Sequence, residues 1–460
     1  MSSAASPAVS PIVERRVIIL VALVQLVNVL DFVMVMPLGP EFARALAIDE
    51  ALLGWVGGSY TAAAAVSGVL AARFLDRFDR RSALAVAMLG LVLATAAGGL
   101  ATGLDSMMAA RVAAGLFGGP ATSLSLAIVA DVVPVERRGK AMGLVMAAFA
   151  VASVVGVPAG LAAAQAGSWR TPFFALAVLG LVVTAFAVRQ LPSLRLHLDG
   201  PRPRSTPTLA LLRRPEIRMM LGAAAAMMLS IFLVVPYVRS FLVNNHGYPD
   251  DEIMYLYLAG GLGSFVVVQF SGRAVDRLGS TPVAALGTAL VTLCLLVGFV
   301  PARPVVPVMV VFVLFMSTAS LRGVPLSALA SRIPAPHERA QYMSMQSAVQ
   351  HVASSLGAIG AAQILATEPG TNRLLHVPQV AVAGVAIGLT MPLLMWRVER
   401  RVRGRAAAAP TAAGIPDPTG ATVPAVAAVT AVAAVAGAAA AVDGRNDDGA
   451  TEAAPFPTEL

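Results

Sequence analysis

Asp31 and Arg111 are the residues of this 460-residue chain whose type and placement most demand a chemical explanation. Asp31 lies deep in the apolar run 17–38, and a carboxylate at such a position is costly unless it faces a wet cavity or a partner. Burial favours the protonated form of a carboxyl group, which suits a residue that alternately takes up and releases a proton. A hydrogen bond between helices, to Gln25 or Asn28, would serve equally well to hold it. Arg111, in the outer third of the run 107–130, keeps its proton under all ordinary conditions. It can still control when a nearby carboxylate gives one up; anchoring to a carbonyl or reaching out to the headgroups is its structural alternative.

A second kind of chemistry is suggested by charged loops. RFLDRFDRR at 73–81 recurs as RAVDRLGS at 273–280, with Asp76 and Arg77 matched by Asp276 and Arg277. Together with Arg80 and with Asp131, which ends a neighbouring apolar run, these residues could form salt bridges that lock one state of a two-state molecule and release the other. Arg81 needs no more than the charge rule for membrane loops. Polar residues inside other apolar runs are candidates for lining an internal cavity: Gln25, Asn28, Gln269, Arg322, Gln350 and His351, the last with a side chain that titrates near neutrality. No His/Glu or Cys spacing matches a metal motif, and Cys294 is the sole cysteine. Lys140 sits in no phosphate-binding loop, and no nucleophile–base motif is present. No metal, cofactor or enzymatic activity is expected.

The elements that must position these residues are membrane helices. Hydrophobic residues make up 57% of the chain and charged ones 13%, with a mean hydropathy of +0.78; soluble domains carry about 25% charged residues. The apolar runs are continuous and about as long as a bilayer requires. Twelve are expected: 17–38, 52–72, 82–103, 107–130, 141–164, 171–188, 219–243, 253–272, 282–300, 304–329, 342–366 and 377–396. Arginines crowd alternate loops, and Glu41, Asp49, Glu50, Asp105, Asp250, Asp251, Glu252 and Glu368 occupy the opposite ones. An even number of spans with both termini cytoplasmic follows, and the same loop placement accounts for the net charge of +8 without nucleic acid. The expected organisation is a tail 1–16, a six-helix bundle 17–190, a Pro- and Arg-rich loop 191–217, a second bundle 218–397 and a disordered Ala/Pro-rich tail 398–460. The repeat of the charged loop in the second bundle signals two homologous halves.

These loops resemble the signature loop of the major facilitator superfamily. The copy GRAVDRLG keeps both of its glycines, Gly272 and Gly279; the first copy has Ala72 and Asp79 there instead. LDFVMVMPLGPEF, with Asp31 and Pro37, is similar to the first-helix motif of the proton-coupled drug-efflux branch, and RVAAGLFGG, with Arg111 and Gly115, to its fourth-helix motif. GVPAG, with Gly156, Pro158 and Gly160, partly matches the fifth-helix antiporter motif, with Val157 where a glycine is usual. The resemblance covers about Val17–Trp396. It implies an all-α integral membrane fold of twelve transmembrane helices, two six-helix bundles related by a pseudo-two-fold axis around a central cavity. It also implies a monomer in the bacterial inner membrane that exchanges protons for small amphiphilic molecules or drugs, with Asp31 and Arg111 as proton-coupling residues. Sugar or metabolite exporters, and importers, share the same fold.

Overall fold

The structure, a computed structural model, describes residues 11–193, 208–301, 305–335 and 338–408. Most of the loop 191–217 and of the tail 398–460 lies outside them. Long helices dominate: α1 (Pro11–Met34), α2 (Leu53–Phe74), α3 (Arg80–Gly99), α4 (Leu104–Val132), α5 (Ala141–Ala166) and α6 (Thr171–Gln190) in the first half. The second half supplies α7 (Pro215–Asn245), α8 (Asp250–Leu278), α9 (Ser280–Gly298), α10 (Val308–Ala330), α11 (Arg339–Ile364) and α12 (Val377–Arg403). Ten of them are long and apolar enough to cross a membrane. The exceptions, α2 and α11, pack against each other across the two halves. A helix covered by protein needs no apolar surface all round, which is how α11 can carry Gln346, Gln350 and His351.

Boundaries differ from the sequence reading at several ends. The first helix begins at Pro11 and stops at Met34, because Pro37 and Pro40 follow and a short helix, Gly39–Ala45, takes a new direction. Residues 11–16 are therefore helical and not tail, Thr208–Arg213 forms a short helix within the central loop, and the last helix continues to Ala408. Prolines mark other irregularities. Pro158 removes a backbone donor, and the turn before it, Ala152–Gly156, relaxes into a π-helix inside α5. Arg322 interrupts α10 where Pro325 removes another.

Small residues let backbones meet. A Cβ on Gly115 of α4 would stand 2.2 Å from the carbonyl oxygen of Tyr60 in α2. Gly156 and Gly160 of α5 face Leu30 and Met34 of α1, where a Cβ would fall within 2.0 and 2.9 Å. Between the halves, Gly54 of α2 lies against α11, its would-be Cβ 2.1 Å from the carbonyl oxygen of Ala358. Such contacts gain dispersion energy where lipid offers no hydrophobic drive for association.

Candidate functional site

α1 and α4 bring Asp31 and Arg111 together inside the first half, each about 1% exposed. Arg111 donates from Nη1 to both carboxylate oxygens of Asp31, at 3.1 and 3.0 Å, and from Nη2 to the Asp31 carbonyl at 3.1 Å. Thr95 of α3 donates its hydroxyl to Asp31 Oδ1 at 2.7 Å. The guanidinium lies over the Tyr60 ring, 4.5 Å from its centroid, a cation–π contact worth about 2 kcal/mol or more when desolvated. The pair is thus held by two further helices, α2 and α3. Asp31 has none of the bonds to Gln25 or Asn28 that the sequence allowed.

Asn28 instead ties α1 to α4 and α2: it donates to the Gly118 carbonyl at 3.0 Å and to Thr122 Oγ1 at 2.6 Å, and accepts from the Tyr60 hydroxyl at 3.1 Å. Those bonds use both amide donors and one of the two acceptor lone pairs, so it reads as a pin between helices. The Phe32 ring stacks on Tyr60 at 5.3 Å and on Phe232 of α7 at 5.8 Å, bridging the halves beside the ion pair. Gln25 is buried, its Oε1 without a hydrogen-bond partner. Gln269 on α8 and Gln350 and His351 on α11 are half-buried. Arg322 departs from the expected cavity lining. It is 1% exposed and wedged among α7, α9 and α12, away from the first half.

Among the described residues, the repeated loops form no ion pair with each other. Arg80 donates to Asp131 at 3.2 Å, which links α3 to α4 within one half. Arg77 is exposed at the edge of a groove lined by Leu70, Ala71, Leu116 and Pro120. Asp276 and Arg277 are exposed and join no ion pair among the described residues. The Asp76 side chain lies outside those residues.

Among the described residues, the hydrogen bonds and ion pairs that join the halves gather at the opposite end. Arg239 of α7, 2% exposed, donates to the Pro37 carbonyl, to both carboxylate oxygens of Glu41 at 2.5 and 2.7 Å, and to Asp250 at 2.7 Å. Arg44 reaches Asp250 at 2.7 Å as well. Tyr237 donates to the Ala51 carbonyl and accepts from the Gly54 amide; Asn244 donates to Glu50, and Thr367 to Asp49. Burial raises the Glu41 carboxyl above its ordinary range, against the pull of Arg239. Sequence reasoning passed over Arg239. Its signal was an arginine inside an apolar run at the end where loops are acidic, against the usual charge asymmetry.

A long two-part helical chain with a buried ion pair has recognisable relatives. The family model described as Major Facilitator Superfamily matches residues 21–358. The chain belongs to that superfamily. It is therefore a multi-pass membrane transporter and not an enzyme. It is 26% identical over 277 residues to the chloramphenicol resistance protein of Streptomyces lividans, covering 60% of this chain and 70% of that protein. To the purine ribonucleoside efflux pump NepI of Shigella sonnei it is 26% identical over 266 residues, 57% of this chain and 65% of that one. Among solved structures, a bacterial homologue of the human lysosomal transporter Spinster matches with a TM-score of 0.66 at 17% identity, over 85% of this chain and 98% of that one. A D-xylose–proton symporter matches with the same TM-score and identity, over 83% and 97%.

Proposed function

We propose that this transporter exports small amphiphilic molecules in exchange for protons, by alternating access between two six-helix bundles. Buried Asp31, facing Arg111, carries the proposal, because a carboxylate there can be neutralised either by its arginine or by a proton. On this reading all twelve long helices span the bilayer, both termini are cytoplasmic and the Glu41 end faces outward. The conformation is then closed outside by the Arg239 clamp, with the Arg80 end unclamped. A proton taken up by Asp31 from outside releases Arg111 from the carboxylate, the molecule turns inward, and the proton leaves as cargo binds. Gln269, Gln350 and His351 are offered as cavity lining, and Asp76, Arg77, Arg80, Asp131, Asp276 and Arg277 as the latch that forms when the cytoplasmic end closes. The named activity of the chloramphenicol resistance relative supports drugs as cargo.

A second reading, export of a metabolite such as a nucleoside, is supported by the NepI relatives. Purified protein in liposomes with an imposed pH gradient separates the two. Gradient-driven, protonophore-sensitive movement of chloramphenicol or cationic dyes is expected for the first reading, and movement of purine ribonucleosides or sugars for the second. No movement of any of these under a pH gradient would sink proton exchange altogether.

A further inference from the structure

The two halves treat their buried arginines differently. In the first half, Arg111 is neutralised by Asp31. In the second, α9, α10 and α11 carry no Asp or Glu, and those of α7, α8 and α12 (Glu216, Asp250, Asp251, Glu252, Asp276 and Glu399) sit towards helix ends. Arg322 nonetheless lies inside this half with 1% of its surface exposed. Its Nη1 donates to the Ser230 hydroxyl at 3.3 Å, while Nε and Nη2 have no hydrogen-bond partner. A guanidinium cannot shed its charge by losing a proton, and a dry interior penalises a cation left without a counter-charge.

We propose that the second half binds a small inorganic monoanion, of the size and charge of chloride, against Nε and Nη2 of Arg322. The planar fork of two free donors suits such a ligand. One hydroxyl touches the arginine, and another belongs to the helix packed against it. Ser230 already accepts from the arginine and donates to the Met227 carbonyl. Thr288, 2% exposed and without a partner for its hydroxyl, follows Gly287, which packs on the Arg322 side chain. The side chain is packed along its stem and at Nη1: a Cβ on Gly287 would stand 3.0 Å from Arg322 Cγ, and one on Gly388 of α12 3.6 Å from Nη1. With Arg322 1% exposed, cargo of drug size would have to part helices to reach it, and a dianion would replace an excess positive charge with an excess negative one. The ligand therefore neutralises the second half as Asp31 neutralises the first, and it is independent of what the transporter carries.

Melting of the detergent-solubilised full chain tests this, in sodium chloride against sodium gluconate at matched ionic strength. The wild type is expected to gain about 4 °C, saturating with chloride, as a ligand that binds only the folded state requires. Arg322→Met should melt at the same temperature in both salts. Crystals grown in bromide provide a measurement that needs no variant, with anomalous density expected beside Nη2. Identical wild-type melting in the two salts, an unchanged chloride response in Arg322→Met, or bromide-soaked crystals without that density would each overturn the site.

Discussion

At the scale of single residues, the ion pair explains why Asp31 is tolerated, and it makes the two side chains one unit. Removing one partner of a buried pair costs about 3–5 kcal/mol because the other charge stays buried, whereas replacing both by neutral groups is close to neutral. Asp31→Asn keeps the shape and a bond to Thr95 but strands Arg111, so its stability in denaturant titration should fall by about that amount. Arg111→Gln added to it should recover most of the loss, while pH-driven transport stays absent in both. A double variant as unstable as the sum of the singles would mean the charges are not paired in the working protein. Both residues were legible in the sequence, since each is expensive in an apolar run. Their pairing was not: eighty positions separate them, and periodicity within one helix does not say which neighbouring helix it will meet. Arg239 was missed for a related reason, its partners being supplied by a loop and by the other half.

At the scale of elements, helix existence followed from apolar length, and breaks followed from prolines only after the fact. Pro158 and Pro325 are visible in sequence, but whether each gives a kink, a π-turn or a stop depends on what packs alongside. Gly115, part of the fourth-helix motif, is a close contact between helices against the Tyr60 carbonyl. Gly54 attracted no notice although it has the same geometry across the halves. The two positions make opposite predictions. Gly115→Val wedges α2 from α4 within a half and should lower melting temperature and yield. Gly54→Val wedges α2 from α11 only while the Glu41 end is closed, so it should leave the fold intact and favour the conformation open at that end. Accessibility of a cysteine at Ala51, beside Tyr237, to a membrane-impermeant maleimide would report this in a Cys294→Ala background. Equal labelling with and without Gly54→Val would show that this contact does not govern closure.

At the scale of the whole molecule, closure of the Glu41 end rests on Arg239, which ties α7 to the loop after α1. Glu41 is raised by burial here, and opening that end would return it to water and to its ordinary value. A carboxyl whose pKa is higher in one conformation stabilises that conformation as it takes up a proton. Through Glu41, closure therefore strengthens as pH falls through the raised value and weakens as pH rises above it. Arg239, Arg44 and Asp250 surround the group, and Asp250 titrates as well, so the informative quantity is the difference between wild type and Glu41→Gln. Spin labels at Leu100 and Val305, exposed in loops of the two halves, would read the separation of that end in a Cys294→Ala background. The wild type should shift towards shorter distances on acidification more than Glu41→Gln does, and Arg239→Gln should favour the longer distance at every pH. The direction fits the exchange proposed above, because an acidic exterior that loads Asp31 also favours shutting the outer end behind the proton. If Glu41→Gln and wild type track each other across pH, Glu41 contributes nothing to the switch and the clamp is a static fastening; if Arg239→Gln keeps the short distance, the halves are held closed by α2 and α11 alone.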